Sequence, residues 1–318
     1  MPDNGATCIL VSTSGRYLPI AKFTITMLNR YWQAHPELFV CGGGSSHGPN
    51  WFDTDAAPQD WLSITRSACR RLHRKGYKRV YLILDDHPPL ASCNSVHLNQ
   101  TLPRLLDDLT ATCIGLNGWG IGREGRRVRG EILRSYYYNL ERLPADFAWK
   151  FSLHPTLWNL ERLIALLDTL IEMLPLPDRT PWRFERFSSQ PGLGLSFDYL
   201  ESAYRVCGRC MTSSNSRYFR HAAKIGFMRL RRLFVNRTGT TGKYGLADAR
   251  FDERLDALGQ YYEGPYPLFW SGLIMAGKPN ARFIEFVRRN RYPDMYHQLT
   301  TQVVPAFDSG RKTTADSV

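Results

Sequence analysis

The run Arg79-Val80-Tyr81-Leu82-Ile83-Leu84 constrains this chain more than any other feature. It is apolar after its first residue, rich in β-formers, and stops abruptly at Asp85-Asp86-His87-Pro88-Pro89. A continuous apolar run of this length reads as a strand buried on both faces, and such strands belong to parallel sheets covered by helices. The residues before it agree. Thr7-Cys8-Ile9-Leu10-Val11-Ser12 reads as a first buried strand, closed by Ser14-Gly15. Residues 18–32 place Ile20, Phe23, Ile25, Leu28 and Tyr31 near helical spacing. Leu38-Phe39-Val40-Cys41 is a second strand stopped by three glycines, and residues 60–75 are a helix with an acidic start, a basic end and Gly76 behind it. The order β-α-β-α-β predicts a doubly wound, mainly parallel α/β sheet. Ligands of such sheets bind outside the carboxyl ends of the strands, where Asp85, Asp86 and His87 fall.

Further along, residues 96–109 read as a helix, 112–116 and 149–153 as possible strands, and 118–130 as a Gly- and Arg-rich loop. Residues 156–174 carry Leu157, Leu160, Leu163, Ile164, Leu167, Leu170 and Ile171 on one side and predict an amphipathic helix, broken by Pro175, Pro177 and Pro181. The character changes near Leu200: no Asp or Glu stands between Ser202 and Ala247, while basic residues recur. The expected organisation is a catalytic domain over 1–200, a basic, mostly helical extension over 201–308 packed on its core, and a small polar tail over 309–318 without fixed structure.

Composition excludes several classes. The 318 residues are 43% hydrophobic and 13% aromatic, enough for a packed core and too much for a disordered chain. The most apolar stretch, residues 163–176, is short and carries Asp168 and Glu172, so no membrane span is expected. The polar start lacks the basic flank and apolar run of a secretory signal, which predicts a cytoplasmic protein. Seven scattered cysteines do not form a disulfide framework, and the single Cys207-x-x-Cys210 pair has no partner at zinc-finger spacing. A net charge of +12 predicts anionic partners without choosing among nucleotides, nucleic acid and acidic lipid. Gly118-Trp119-Gly120-Ile121-Gly122 lacks the spacing of a dinucleotide loop, and residues 239–243 lack the first glycine of a P-loop.

Two carboxylates and an imidazole at a strand end suit Mn²⁺ or Mg²⁺, since both ions take oxygen ligands and Mn²⁺ also accepts imidazole. A turn or helix cap accounts for the same residues, and Pro88-Pro89 suits a rigid turn equally well.

The order of features resembles the GT-A class of nucleotide-sugar glycosyltransferases, particularly the bacterial kind that builds surface polysaccharide. The residues that carry the resemblance are Val11-Ser12-Thr13-Ser14 after the first strand, Tyr31-Trp32 near Pro36, the strand ending in Asp85-Asp86-His87, the stretch from Ser152 to Trp158, and Pro181-Trp182-Arg183-Phe184-Glu185. It covers residues 7–190; Pro88-Pro89 stands where an apolar or aromatic residue is expected, and the Arg-rich residues 123–142 and everything beyond 200 have no counterpart. The resemblance implies a mixed, mainly parallel sheet flanked by helices. It also implies transfer of a sugar from a nucleotide-diphosphate donor to a glycan or lipid-linked acceptor. Asp85, Asp86 and His87 would hold Mn²⁺ or Mg²⁺; Thr13, Arg16, Trp61, Arg66, Asp85 and Asp86 would bind the donor; Trp158 and Trp182 would stack on the acceptor. Glu185, 100 positions after Asp85, would take the proton from the acceptor hydroxyl, its pKa raised by burial beside Trp182 and Phe184. For Trp158 a core position and for Glu185 an ordinary pairing with Arg183 or Arg186 are the competing readings.

Residues 217–234 would form a basic amphipathic helix, suited either to the inner membrane surface or to the protein's own core. Two other functions compete: a metal-dependent nucleotidyltransferase or phosphoesterase, and a non-catalytic nucleic-acid-binding protein. A phosphoesterase calls for further His/Asp clusters, and none stands in sequence around His35, His47, His73, His97, His154, His221 or His297. No nucleic-acid-binding signature is visible, so no nucleic-acid partner is expected.

Overall fold

The computed structural model describes residues 6–42, 48–119, 132–133, 140–143, 150–188, 202–212, 260–269, 272–275, 277–289 and 293–305. Along the chain the elements are β1 (Thr7–Ser12), α1 (Leu18–Tyr31), β2 (Glu37–Cys41), β3 (Trp51–Phe52), α2 (Trp61–Arg74), β4 (Arg79–Leu84), α3 (Leu102–Asp108), β5 (Cys113–Trp119), β6 (Ile132–Leu133), β7 (Leu140–Arg142), β8 (Thr156–Asn159), α4 (Leu160–Met173), α5 (Pro181–Ser188), β9 (Ala203–Thr212), β10 (Gln260–Glu263), β11 (Leu268–Phe269), β12 (Ile274–Met275), β13 (Lys278–Pro279), α6 (Ala281–Arg289) and α7 (Pro293–Gln298). They divide into two compact units, one of Met1–Gly118, Arg129–Gly208 and Gly264–Tyr266, the other of Trp119–Val128, Arg209–Glu263 and Pro267–Val318.

The sheet of the first unit runs β9-β5-β8-β4-β1-β2-β3. Its half β4-β1-β2-β3 is parallel throughout. β8 lies between β4 and β5 and is antiparallel to both. This is a mixed α/β sheet with helices on both faces. Cys8 and Leu10 of β1 and Val80 and Leu82 of β4 face a core built with α2 and α4. Successive strand residues point to opposite sides, so Tyr81 faces the other layer. There it meets Trp32, just past α1, at 5.0 Å between ring centroids.

Local chemistry explains the element ends. Asp60 caps α2 through Ser63 N–H at 3.0 Å, and Asn159 caps α4 through Arg162 N–H at 3.1 Å. Each of the five buried leucines of α4 (Leu160, Leu163, Leu166, Leu167 and Leu170) contributes about 1.5–3 kcal/mol of burial. Asp60 also pairs with Arg179 at 3.1 Å, and Arg179 donates to the carbonyls of Leu174 and Ile171. One residue thereby joins the start of α2, the end of α4 and the approach to α5.

Two expectations change. Thr156–Asn159 is a strand, not the first turn of a helix, because it pairs with β4 and β5 and the Asn159 cap starts α4 only afterwards. Residues 150–153 form a turn and a loop rather than a strand; Phe151 and Leu153 are apolar because they fill the core. The helix expected over 96–109 runs over residues 95–108, with a π turn, His97–Thr101, leading into α3.

The second unit holds an antiparallel ladder in which β10 pairs with residues 209–212 of β9 and with β11, a β12–β13 hairpin, and α6 and α7. Strands therefore stand beside helices in the part expected to be mostly helical. Phe269 meets Phe283 edge-on at 5.4 Å within its buried interior. No helix among the described residues is long and apolar enough to cross a membrane. Residues 217–234 lie outside the described residues.

Two predictions follow from this packing. Gly42 has φ +90° and a Cβ there would sit 1.9 Å from the Thr13 carbonyl oxygen. Gly42→Ala is expected to lower stability by at least about 1–3 kcal/mol from backbone strain alone; an unchanged urea midpoint contradicts the close approach. His97 is buried, and burial pushes its pKa down to about 4. The unfolded chain takes up that proton near pH 6.5, so the stabilisation is complete above that pH and drains away as pH falls toward 4. Urea midpoints measured from pH 7 to pH 4 should fall more steeply for the wild type than for His97→Leu.

Candidate functional site

The carboxyl ends of β1 and β4 lie side by side, with Ser12 paired to Leu84. The chain beyond each is then fixed by Asp85. Its N–H donates to the Ser12 carbonyl at 3.1 Å, its carboxylate accepts from Thr13 Oγ1, and its carbonyl accepts from Thr24 Oγ1 on α1. Asp85 is buried, and burial drives its carboxyl well above the usual range; the neighbouring Asp86 charge pushes the same way, while the Thr13 hydroxyl and nearby backbone amides favour the ionised form. Asp85 is thus committed to holding three elements together.

Asp86 and His87 come next. His87 N–H closes a turn on the Leu84 carbonyl at 3.1 Å. Its Nδ1 is buried and lies 2.7 Å from Asp86 Oδ1, close enough for a strong charge interaction. Burial pulls the imidazole pKa down, yet the negative charges of Asp86 and Glu185 outweigh it and the pKa rises overall.

Glu185 reaches the same place from α5. Phe184, fully buried, meets Trp61 at 5.6 Å and Trp158 at 6.1 Å and anchors the helix. The next residue then turns its carboxylate to the loop before β8: Glu185 Oε1 accepts from Leu153 N–H at 2.6 Å and from Ser152 Oγ at 3.0 Å. Burial raises the Glu185 pKa, and the Asp86 charge adds to that; the two hydrogen bonds and the charge of His87 pull the other way without reversing it. Ser152 Oγ also lies 2.8 Å from His154 Nδ1, and the His154 ring meets the His87 ring edge-on at 4.9 Å. Asp86, His87, His154, Ser152 and Glu185 therefore form one cluster.

Other expected residues lie elsewhere. Trp61 is buried and donates from Nε1 to Ser12 Oγ at 2.7 Å, which makes it a support beneath the end of β1. Arg66 turns to Asp168 of α4 at 3.4 Å, beside Arg70 at 2.9 Å. Trp158 is fully buried on β8, packed at a tilt on Phe151 at 5.7 Å and edge-on with Phe184 at 6.1 Å. Trp182 is 79% exposed, three residues before Glu185 on α5. The side chain of Arg16 lies outside the described residues. A groove of about 600 Å³ along α2 and α4, lined by Arg66, Arg70, His73, Arg74 and Glu161, contains no member of the cluster. Sequence alone gives His154 no role of its own because no other ligand type stands near it; its place two residues after Ser152 is the signal that points to it.

Among the described residues no group of three His, Cys, Asp or Glu side chains is arranged to hold a metal ion. The pair Asp86 Oδ1 and His87 Nδ1 can still serve as two ligands. An octahedral ion with bonds of about 2.1 Å has adjacent ligands about 3 Å apart, close to the observed 2.7 Å. Mg²⁺-type sites commonly use one or two protein ligands, with phosphate and water completing the shell. Binding there requires His87 to release its proton.

No protein-family model matches the chain, and no curated protein matches it in sequence.

The Ser152 hydroxyl favours the ionised form of Glu185, so its removal should raise the Glu185 pKa further. Carboxyl-carbon NMR titration of Ser152→Ala is expected to show Glu185 titrating at higher pH than in the wild type; an unchanged or lower value contradicts the hydrogen bond.

Proposed function

We propose that this protein is a metal-dependent glycosyltransferase of GT-A type, moving a sugar from a nucleotide-diphosphate donor to a hydroxyl of a glycan or lipid-linked acceptor in cell-surface polysaccharide synthesis. The observation that carries the reading is the meeting of Asp86 and His87, at the end of β4, with Glu185 from α5: the charges of both act on the Glu185 carboxylate. The mixed sheet with its parallel half and flanking helices supports it as well.

Asp86 and His87 would hold Mn²⁺ or Mg²⁺, and a bound ion of this kind neutralises a diphosphate as it leaves. Thr13 acts at one remove by holding Asp85, and Arg16 would approach the donor from the turn after β1. Glu185 takes the proton from the acceptor hydroxyl. Its raised pKa suits that step, and among the described residues both hydrogen bonds to it fall on Oε1, which leaves Oε2 for the acceptor. Trp182, widely exposed on the same helix, offers a flat apolar face to an acceptor sugar; Trp158, fully buried, does not. Peripheral contact with the inner membrane surface, through residues 217–234, belongs to the same reading.

One observation favours a metal-dependent phosphoesterase instead. The edge-on approach of His154 to His87 brings a second imidazole to the triplet. That reading needs further ligands around the ion, whereas transfer from a diphosphate donor uses the donor's own oxygens.

Calorimetric titration of UDP and GDP, with and without Mn²⁺, separates them. Metal-dependent nucleotide binding by the wild type, lost in Asp86→Ala with His87→Ala, is the expected result. Metal-dependent cleavage of a generic aryl phosphate without nucleoside diphosphate binding would overturn the transferase reading in favour of the phosphoesterase.

A further inference from the structure

His87 is followed by Pro88-Pro89, two residues with no backbone N–H. The chain immediately beyond His87 therefore offers no local amide to brace the turn that presents its side chain. The brace comes from a distant part of the chain. Tyr266, fully buried, donates its hydroxyl to the His87 carbonyl at 2.9 Å. The residue before it, Pro265, accepts from Asn94 N–H at 2.9 Å, which fixes the segment to the stretch that follows the prolines. The Tyr266 ring meets Trp32 edge-on at 6.1 Å, and Trp32 in turn donates from Nε1 to Asn99 at 2.9 Å and packs on Tyr81 of β4. Gly264–Tyr266 belongs to the first unit although the residues on either side of it belong to the second.

We propose that Gly264–Tyr266 is a strap built into the site, and that Tyr266 is a positioning residue that sets the backbone of His87 and so aims its imidazole at Asp86. The hydroxyl acts through the His87 carbonyl and touches no reacting atom. A buried carbonyl beside two prolines needs a donor, and a buried phenol needs a partner; each meets the other's requirement. The prolines and the strap thus form one device: the first remove the local donors, and the second supplies the missing one from a site 179 residues away. The role this gives His87 in holding a cation rests on the transferase reading, while the strap itself does not.

The test is hydrogen exchange of the His87 amide, which is bonded to Leu84 O, in full-length wild type, Tyr266→Phe and Trp32→Phe. Tyr266→Phe removes only the hydroxyl. Trp32→Phe loosens the same aromatic pocket and keeps the hydroxyl. Exchange about tenfold faster at His87 in Tyr266→Phe, with the amides of β1 unchanged and Trp32→Phe near wild type, is the expected result. Equal exchange in Tyr266→Phe and wild type, or equal acceleration in both variants, overturns the strap. Mn²⁺ titration of the same proteins then reads the consequence at the site: affinity about 10–100-fold weaker in Tyr266→Phe is expected, and unchanged affinity overturns the positioning role. A wild type that binds no Mn²⁺ also overturns that role and defeats the metal of the transferase reading, while the exchange result still decides the strap.

Discussion

The buried carboxyl of Asp85 is the interaction on which the rest of the site depends. Asp85 lies where β1, α1 and β4 converge, and it engages each of them: its N–H bonds the Ser12 carbonyl and its carboxylate the Thr13 hydroxyl at the end of β1, and its carbonyl accepts from Thr24 on α1. A buried polar group left without partners costs about 1–3 kcal/mol, so these contacts are coupled. The close approach of Gly42 to the Thr13 carbonyl and the Trp61 bond to Ser12 secure the same strand end from two further sides. With Asp85 committed to structure, Asp86 and His87 are the residues the strand end presents beyond it.

The second half of the site depends on how α5 is set. The antiparallel β8 places the Ser152–His154 loop next to the end of β4. Asp60 and Arg179 fix the corner from which α5 starts, and Phe184 pins it to the Trp61–Trp158 core. Only then does Glu185 meet Leu153 and Ser152. The carboxylate that acts as base in the proposed reaction is thus positioned by residues that carry no chemistry of their own. The same holds on the other side, where Tyr266 braces His87.

Much of the fold is legible in the sequence because its signals are local. β1 and β4 end where their apolar runs end, α1 is read to within a residue from its apolar spacing, and α2 from the Asp60 cap and the Gly76 behind it. Thr156–Asn159 was obscured because Leu157, Leu160 and Leu163 extend the helical spacing of α4 backward; its strand character comes from pairing with β4 and β5, which no local pattern encodes. The candidate site divides the same way. Asp86, His87 and Glu185 gather in one cluster through β4, the Ser152–His154 loop and α5. Trp61 and Arg66 have the right residue types but answer to nearer partners, Ser12 and Asp168. His154 and Tyr266 join only through tertiary contacts, so the sequence around them carries no sign of it.

In the proposed transferase the end of β4 holds the donor's ion and Glu185 of α5, beside it, serves the acceptor. Diffraction from crystals grown with Mn²⁺ and a nucleoside diphosphate, recorded at a wavelength where manganese scatters anomalously, tests it most directly. The account predicts an anomalous peak within bonding distance of the Asp86 carboxylate and His87, with the diphosphate on the ion and the Glu185 carboxylate facing the space beyond it. A peak bound elsewhere, or a nucleotide ordered away from this cluster, would contradict it.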